Sequence, residues 1–510
     1  MKQSALKRIG VVGAGAMGQG IAQVMALGGL SVLLFDARPE AATVAREHLA
    51  AAFSHLQVKG RITQQLAEQA LQNVRVVESL QGLTGCQWVI EAIVEDLQVK
   101  QALFRQLDEL LDDATVLASN TSSLSITAIA SVCKHPQRVA GLHFFNPVPR
   151  MRLVEVIAGI ATRPHVIEQL QALVEQVGHC PVISKDSPGF IVNHAGRAFG
   201  TEALRILSEG VATVAQIDAV LREGAGFRMG PFELLDLIGL DVSLPVMESV
   251  YHQFYEEPRY RPHPLLRLML AGGHLGRKTG QGFYHYQDKG AAPRFVQSVP
   301  TCAVRPTVWV AADDELGKAR VIALLEQLGA SIESGPRPSA EALCVLAPLG
   351  DDATESALRH NVDPARTVAI DTLLELSTLR CLMPTPATRP EMQNAAHALF
   401  SADDGTVVML RDSCGFIAQR TLASIINLAC DIAQQGIASV ADIDRAVQLG
   451  LGYPHGPLAW GDQLGASRLL LILERMQTLS GDPRYRPSSW LRRRARLQIS
   501  LRQPENDIPA

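Results

Sequence analysis

RIGVVGAGAMGQGIAQVMALGGLSVLLFD, residues Arg8 to Asp36, reads as a strand, a glycine turn, a helix and a second strand. Arg8 to Val12 is a short apolar run, and the hexapeptide Gly13-Ala-Gly-Ala-Met-Gly18 opens the helical segment behind it. In that order Gly13 permits the tight turn, Gly15 lets the backbone approach a pyrophosphate, and Gly18 lets helix and strand pack closely. The unpaired N–H groups and positive end of the helix then face the anion. Asp36 closes the strand Ser31 to Phe35, about twenty residues beyond the glycines, where a carboxylate accepts hydrogen bonds from ribose hydroxyls and repels a 2′-phosphate. The expected cofactor is NAD rather than NADP, with Arg38 as an opposing charge nearby. Ile9 to Phe35 carries no charged residue, which is the composition of a membrane span. Its seven glycines divide it instead into strand, turn and helix.

Around this nucleus the chain runs to 510 residues, enough for three or four domains with a substantial core in each. Forty-seven Lys and Arg stand against fifty-one Asp and Glu, a net charge of −4, with no long block of one sign. Neither nucleic acid nor a membrane surface is expected as a partner; the Arg492-Arg-Arg-Ala-Arg496 run is read as the solvated end of a last helix. The eight cysteines show no CxxC pair, which fits a reducing cytoplasm and buried thiols rather than a disulfide framework. No His/Cys/Asp cluster has ligand spacing, so no metal is expected, and no signal-peptide cleavage site precedes the glycine turn.

The later chain repeats itself at an offset of about 226 residues. Ala161-Thr-Arg-Pro164 returns as Ala387-Thr-Arg-Pro390, Lys185-Asp-Ser-Pro-Gly-Phe-Ile191 as Arg411-Asp-Ser-Cys-Gly-Phe-Ile417, Gly230-Pro231 as Gly456-Pro457, and Pro258-Arg-Tyr-Arg-Pro262 as Pro483-Arg-Tyr-Arg-Pro487. Two copies of a helical domain follow from this, each opened by an Asp-Ser cap, with Pro188 at the first turn of copy one. Between them a shrunken α/β unit is expected, with strands at Thr307 to Ala311, Ala342 to Ala347 and Thr367 to Ile370 and a helix from Glu315 to Leu328. Its first loop, Ala311-Ala-Asp-Asp314, places two carboxylates where a pyrophosphate needs glycines, so it should bind no NAD. The expected fold class is α/β: a Rossmann-type doubly wound domain over 1–185, an all-α domain over 186–287, a reduced Rossmann-like unit over 300–385 and a second all-α copy over 386–497.

In such a sheet ligands gather beyond the carboxyl ends of the strands, where Glu91-Ala-Ile-Val-Glu95, Ser119-Asn-Thr-Ser-Ser123 and His143-Phe-Phe-Asn146 should lie. Removing hydride from a secondary alcohol requires a partner for the hydroxyl proton, and a neutral imidazole suits pH 7. His143 follows the apolar strand Arg138 to Leu142 and should emerge at the sheet's edge. Glu155, in the strand Leu153 to Ile157, is placed to fix its tautomer and stabilise the imidazolium. Ser122 and Asn193 can donate hydrogen bonds to a substrate oxygen. Each also has a plainer role: a packing histidine, a cap for the helix from Ile126, a polar residue in a helical turn, and a Glu155–Arg152 pair. The crossover between Asp36 and Val74 is long enough for a helical pair, whose Lys59-Gly60-Arg61 turn could meet a CoA phosphate or simply be solvated.

At this point the chain closely resembles the 3-hydroxyacyl-CoA dehydrogenase family, over residues 7 to 285. The motifs are Gly13 to Gly18, Ser119-Asn-Thr-Ser-Ser-Leu124, His143-Phe-Phe-Asn-Pro-Val-Pro149, Pro188-Gly-Phe-Ile-Val-Asn193, Gly230-Pro-Phe-Glu-Leu-Leu-Asp236 and Lys278-Thr-Gly-Gln-Gly-Phe-Tyr284. The resemblance implies oxidation of an L-3-hydroxyacyl-CoA to the 3-oxoacyl-CoA, with His143 as general acid/base oriented by Glu155. Ser122 and Asn193 would hold the substrate, and Asp36, Glu95, Lys100, Ser122, Asn146 and Lys278 would contact NAD. The longer architecture is similar to bacterial members acting on 3-hydroxybutyryl-CoA and 3-hydroxyadipyl-CoA, the latter in phenylacetate catabolism. Copy two departs from the pattern, with Gln419 at the place of Asn193 and no upstream His and Glu, so a packing role is expected there. Because shorter members pair through their helical domains, copy two should pack on copy one within the chain, imitating a dimer partner; further homo-oligomers are possible. The rival readings are a β-hydroxyacid dehydrogenase of the 6-phosphogluconate type, which needs a lysine where Asn193 stands, and an NAD-binding protein without catalysis.

Overall fold

Alternating apolar strands and helices from Arg8 onward build an eight-stranded sheet in the computed structural model, which describes residues 7–286, 290, 292–302 and 305–505. By packing the chain forms two units, one of residues up to His194 with Gln435–Leu451, the other of Ala195–Gln434 with the residues from Gly452 onward. In the first unit the strands are β1 (Arg8–Val12), β2 (Ser31–Phe35), β3 (Val74–Val76), β4 (Trp88–Glu91), β5 (Val116–Ser119), β6 (Val139–Phe144), β7 (Leu153–Ala158) and β8 (Cys180–Lys185). Their order is β3-β2-β1-β4-β5-β6-β7-β8, parallel except where β6 meets β7. The chain leaves β1 for opposite sides at β2 and β4, which makes the crevice beyond β1 the natural ligand site.

Both faces of this sheet are covered. Ile9, Val32, Leu34 and Ile90 pack with Ile21, Met25, Leu49 and Leu170 on one side. Val89, Leu117 and Val139 pack with Phe104, Leu107 and Ile129 on the other. Each such side chain contributes roughly 1.5–3 kcal/mol on burial, so continuous Val/Ile/Leu runs rather than alternating ones mark these strands. The crossover after Asp36 is indeed a helical pair, Ala41–Val58 and Gln64–Asn73, turned at Lys59 to Ile62 and capped by Thr63, whose hydroxyl accepts from Leu66 N at 3.2 Å.

Three local expectations are corrected. His143 lies inside β6, flanked by β5 and β7, and is 5% exposed rather than emerging at an edge. Asp186 does not cap its own helix; its carboxylate accepts from Ser125 Oγ (2.7 Å), Ile126 N (3.1 Å) and Thr127 N (2.7 Å), at the start of the helix Ile126–Ala130. The helical spacing of Phe190, His194, Phe199 and Leu204 predicts one helix up to a stop at Gly210, but the chain breaks it into Val192–Ala195 and Arg197–Ser208. Gly196 stands at the break, where copy two has Leu422 within the unbroken helix Ile417–Gln434, as the poor helix propensity of glycine leads one to expect.

The second unit holds a six-stranded sheet of β9 (Val308–Ala312), β10 (Ile332–Glu333), β11 (Leu343–Ala347), β12 (Thr367–Ile370), β13 (Leu379–Pro384) and β14 (Thr406–Met409), in the order β10-β9-β11-β12-β13-β14. The boundary expected at 385 is therefore too early. Helix Pro390–Phe400 and β14 still belong to the sheet, because the repeat begins within the last α/β elements of each copy. Asp412 repeats the Asp186 cap by accepting from Ala353 N (2.7 Å) and Thr354 N (3.2 Å). This aligns β11 with β5 and leaves the counterparts of two strands, β3 and β4, missing. The helical copies meet in the same unit, Arg197–Ser208 lying along Ile417–Gln434. Buried Glu202 accepts there from Arg484 Nη1 (2.8 Å) and Tyr485 OH (2.9 Å) and pairs with Arg420.

Candidate active site

The glycine turn leaves room only for backbone. Gly13 has φ 105°, and a Cβ on it would lie 2.4 Å from Ala92 O; one on Gly18 would lie 1.8 Å from Gly13 O, while Gly15 faces open space. Beside it a cavity of about 440 Å³ is lined by Ala14, Gly15, Gln19, Arg38 and Pro39. Asp36, just past β2, accepts from Ala14 N (2.8 Å) and from Arg38 Nε (3.0 Å). Burial alone would raise its carboxyl, but the hydrogen bonds from Arg38 and Ala14 outweigh that and hold it at about 2. An ionised acceptor beside an uncovered helix N-terminus fits a dinucleotide with its ribose at Asp36 and its pyrophosphate at Gly15.

His143 and Glu155 face each other in register across β6 and β7. His143 Nδ1 lies 2.7 Å from Glu155 Oε2, and the carboxylate is fully buried. Glu155 is thus not paired with Arg152. Its other oxygen, Oε1, accepts from Ile191 N and Val192 N, both at 2.9 Å. The turn that aims these two donors passes through Gly189 (φ 75°) and Phe190 (φ 49°), a left-handed conformation costly for a phenylalanine and typical of functional sites. That explains the Pro-Gly-Phe-Ile-Val-Asn motif. Phe145 and Phe190 flank the imidazole with ring centroids at 4.3 and 6.1 Å.

The serine turn after β5 is gathered on one carboxylate. Glu95 Oε1 accepts from Thr121 Oγ1 (2.6 Å), Ser122 N (3.0 Å), Ser123 N (3.2 Å) and Ser123 Oγ (3.0 Å). Burial opposes its charge, but Lys100 and these donors win and keep the carboxyl below its ordinary range. Ser122 is no helix cap, since Ser125 caps the helix at Ile126. Asn193 Nδ2 donates to Ser122 O at 3.3 Å, bringing those two residues together. Lys100 is buried, its side chain 1% exposed, with Nζ 2.6 Å from Glu91 and 3.3 Å from Glu95.

Three residues have roles that the sequence did not reveal, although it placed two of them at the strand ends and read the third as a cap. Glu91 binds Lys100 and accepts from Ser119 Oγ (2.6 Å); Asn120 Oδ1 accepts from Phe144 N (2.8 Å), tying the serine turn to β6 beside His143; Asp186 fixes the helix behind that turn. A polar residue at the end of an otherwise apolar strand was the available signal for the first.

Asn146 is exposed in the loop after β6. Lys59 and Arg61 line a cavity of about 1110 Å³ with Arg150 and Arg152. Lys278 belongs to the second unit, where it pairs with Asp241. Its motif is held there by Asp236, which accepts from Phe283 N (2.9 Å) and Tyr284 N (3.0 Å), and by Asp218, which accepts from Tyr284 OH (2.9 Å). Burial pushes the Asp218 carboxyl up to about 7. Among the described residues no helix is long and apolar enough to cross a membrane.

Residues 8–187 match the model of the 3-hydroxyacyl-CoA dehydrogenase NAD binding domain, and the C-terminal domain of the same family matches twice, at 189–286 and 415–503. The chain belongs to the 3-hydroxyacyl-CoA dehydrogenase family. As a member it is an NAD-dependent oxidoreductase. It is 40% identical over 494 residues to the 3-hydroxyadipyl-CoA dehydrogenase of Escherichia coli (strain K12), covering 97% of this chain and 98% of that one. The human mitochondrial hydroxyacyl-coenzyme A dehydrogenase is 38% identical over 292 residues, 56% of this chain and 93% of its own. A crystal structure of 3-hydroxybutyryl-CoA dehydrogenase from Escherichia coli K12 superposes with a TM-score of 0.85 at 38% identity, covering 96% of this chain and 98% of that one. The two ranges matched by the C-terminal domain model coincide with the sequence repeat.

Proposed function

We propose that this 3-hydroxyacyl-CoA dehydrogenase oxidises the L-3-hydroxy group of 3-hydroxyadipyl-CoA to the 3-oxo group, as a step of phenylacetate catabolism in the cytoplasm. The observation that carries the acyl chain is the near end-to-end match to a 3-hydroxyadipyl-CoA dehydrogenase. A 3-hydroxybutyryl-CoA substrate is the second reading, favoured by the name of the superposable crystal structure. Steady-state kinetics with 3-hydroxyadipyl-, 3-hydroxybutyryl- and longer 3-hydroxyacyl-CoA decide between them. The adipyl ester should have the highest kcat/KM, and if it is the poorest of the series the first reading is wrong.

The chemistry proposed rests on the His143–Glu155 pair. With Nδ1 committed to Glu155, His143 keeps Nε2 to take the proton of the 3-hydroxyl. NAD, when bound, supplies the hydride acceptor. Glu155 holds the tautomer and balances the imidazolium that forms, and its other oxygen accepts from the Ile191 and Val192 amides. Ser122 and Asn193 orient the substrate oxygen. Asp36 holds the adenosine ribose, with Glu95 and Asn146 as further cofactor contacts and Lys100 acting through Glu95. Lys59 and Arg61 receive CoA phosphates at the mouth of their cavity. The paired helical copies imitate a dimer within one chain, and the four-part division of the sequence records that ancestry. Loss of acetoacetyl-CoA-dependent NADH oxidation in His143→Ala, with NADH still bound, separates this reading from a non-catalytic NAD-binding protein.

A further inference from the structure

The two copies exchange their second helices. Helix Val440–Leu451, sequence of copy two, packs on β7 and β8 of the first sheet, whereas the helical turn Val220–Gly224 of copy one packs on β13 of the second sheet. The correspondence runs residue by residue at the repeat offset. Lys185 N donates to Ile437 O (2.8 Å) in one unit, and Arg411 N to Val211 O (3.0 Å) in the other. Gly450 faces Leu153 as Gly224 faces Leu379.

The two glycines are not equally crowded. A Cβ on Gly224 would stand 3.8 Å from Leu379 Cδ2, an ordinary contact. A Cβ on Gly450 would stand 2.8 Å from Leu153 Cδ2 and 3.0 Å from Val192 Cγ2. Leu153 begins the strand that carries Glu155, and Val192 N is one of the two donors on Glu155 Oε1. Both side chains are almost wholly buried, at 0% and 2% exposure, so neither can move aside into solvent.

We infer that Gly450, on a helix from the non-catalytic second copy, is a positioning residue for the His143–Glu155 pair, pressing the Val192 amide against the Glu155 carboxylate. Copy two is then a working part of the acid–base apparatus. This rests on the reading of Glu155 as the group that orients His143. A side chain on Gly450 displaces Val192 and removes a donor from Glu155 Oε1, so the damage falls on proton transfer. The glycine turn after β1, which holds the pyrophosphate in this reading, has no contact with Val192 and stays in place.

The test is a double-mutant cycle in the full-length enzyme. Gly450→Val should lower kcat by about 10-fold or more through misplacement of the pair, with the KM for NAD and NADH binding unchanged. In a Glu155→Gln background, where the carboxylate charge is gone, the same change should cost less than about 2-fold, the non-additivity of residues acting through one another. Gly224→Val, the repeat-related control, should leave kcat within about 2-fold of the parent, since it lies in the other sheet. Equal losses from Gly450→Val in both backgrounds, or no loss in the parent, overturn the inference. A Glu155→Gln enzyme as fast as the parent overturns instead the reading of the site. If Gly450→Val does not fold cooperatively, Gly450→Ala carries the same cycle, because a single methyl already meets Leu153 and Val192.

Discussion

Asp371 N donates to the carbonyl of Cys381 at 3.1 Å, and the two residues face each other across β12 and β13 where His143 and Glu155 face each other across β6 and β7. The second sheet therefore places Asp371 and Cys381 at the positions that correspond to the proposed acid–base pair. Asp371 accepts from Gln419 Nε2 (2.9 Å) and Leu373 N (2.9 Å), and Gln419 also closes onto Gly350 N (2.8 Å) and Pro348 O (3.0 Å). Burial pushes the Cys381 thiol well above its ordinary range, leaving almost no thiolate, the form that reacts. Cys381 should stay unlabelled by a thiol reagent in the native enzyme and react once the chain is unfolded. Fast native labelling identified at Cys381 by mass spectrometry would contradict this.

If His143 is the proton acceptor proposed above, its removal should cost the full acid–base contribution. His143→Gln is expected to reduce kcat by about 10²- to 10⁴-fold while NADH binding, followed by fluorescence, holds. A drop confined to KM would assign His143 to binding instead.

The Asp36 carboxyl, held at about 2, is ionised at every pH above about 4. A ribose hydrogen-bonded to the charged form loses that partner only as pH falls through about 2. The KM for NAD should therefore show no titration between about pH 5 and pH 8. Asp36→Ala should lower kcat/KM for NAD by about 10-fold, from the loss of about 1 kcal/mol per hydrogen bond. Arg38→Ala, which removes the guanidinium lying on that carboxylate, should lower whatever NADP is used relative to NAD. An NADP-to-NAD ratio of kcat/KM that rises instead would remove Arg38 from cofactor choice.

Glu202 and Arg420 are buried charges at the junction of the helical copies, with side-chain exposures of 3% and 1%. Taking one partner from such a group strands the other, at about 3–5 kcal/mol. Glu202→Gln should lower the unfolding free energy by that amount, read from the shift in the denaturation midpoint. Burial opposes the Glu202 charge, but Arg484 and Arg420 hold its carboxyl below the ordinary range. Its contribution is therefore complete above the unfolded carboxyl pKa and fades as pH falls through the lower folded value. An unchanged midpoint would mean that the junction is not stabilised through this cluster.

Much of this was open to sequence reasoning because it depends on local chemistry. The Gly13–Gly18 turn, the strand that ends at Asp36 and the Asp313-Asp314 loop each declare themselves within a few residues. Asp314 proves to cap the helix that follows, accepting from Gly317 N at 2.7 Å. What stayed hidden depends on distant partners. Nothing beside Asp186 indicates that it caps a helix some sixty residues back, and nothing beside Lys100 indicates that Glu91 and Glu95 enclose it. The sheet running on past 385 was missed because Thr406–Met409 is a short edge strand, whose pairing with β13 is set by the sheet and not by its own composition.

The exchange of helices also has a consequence for biogenesis. The first unit takes its closing segment from Gln435–Leu451, so a ribosome must carry synthesis past residue 451 before that unit can be finished. Until then the backs of β7 and β8 wait uncovered, and an arrested nascent chain or a truncation before residue 451 should present them to chaperones, which engage exposed apolar surface of this kind.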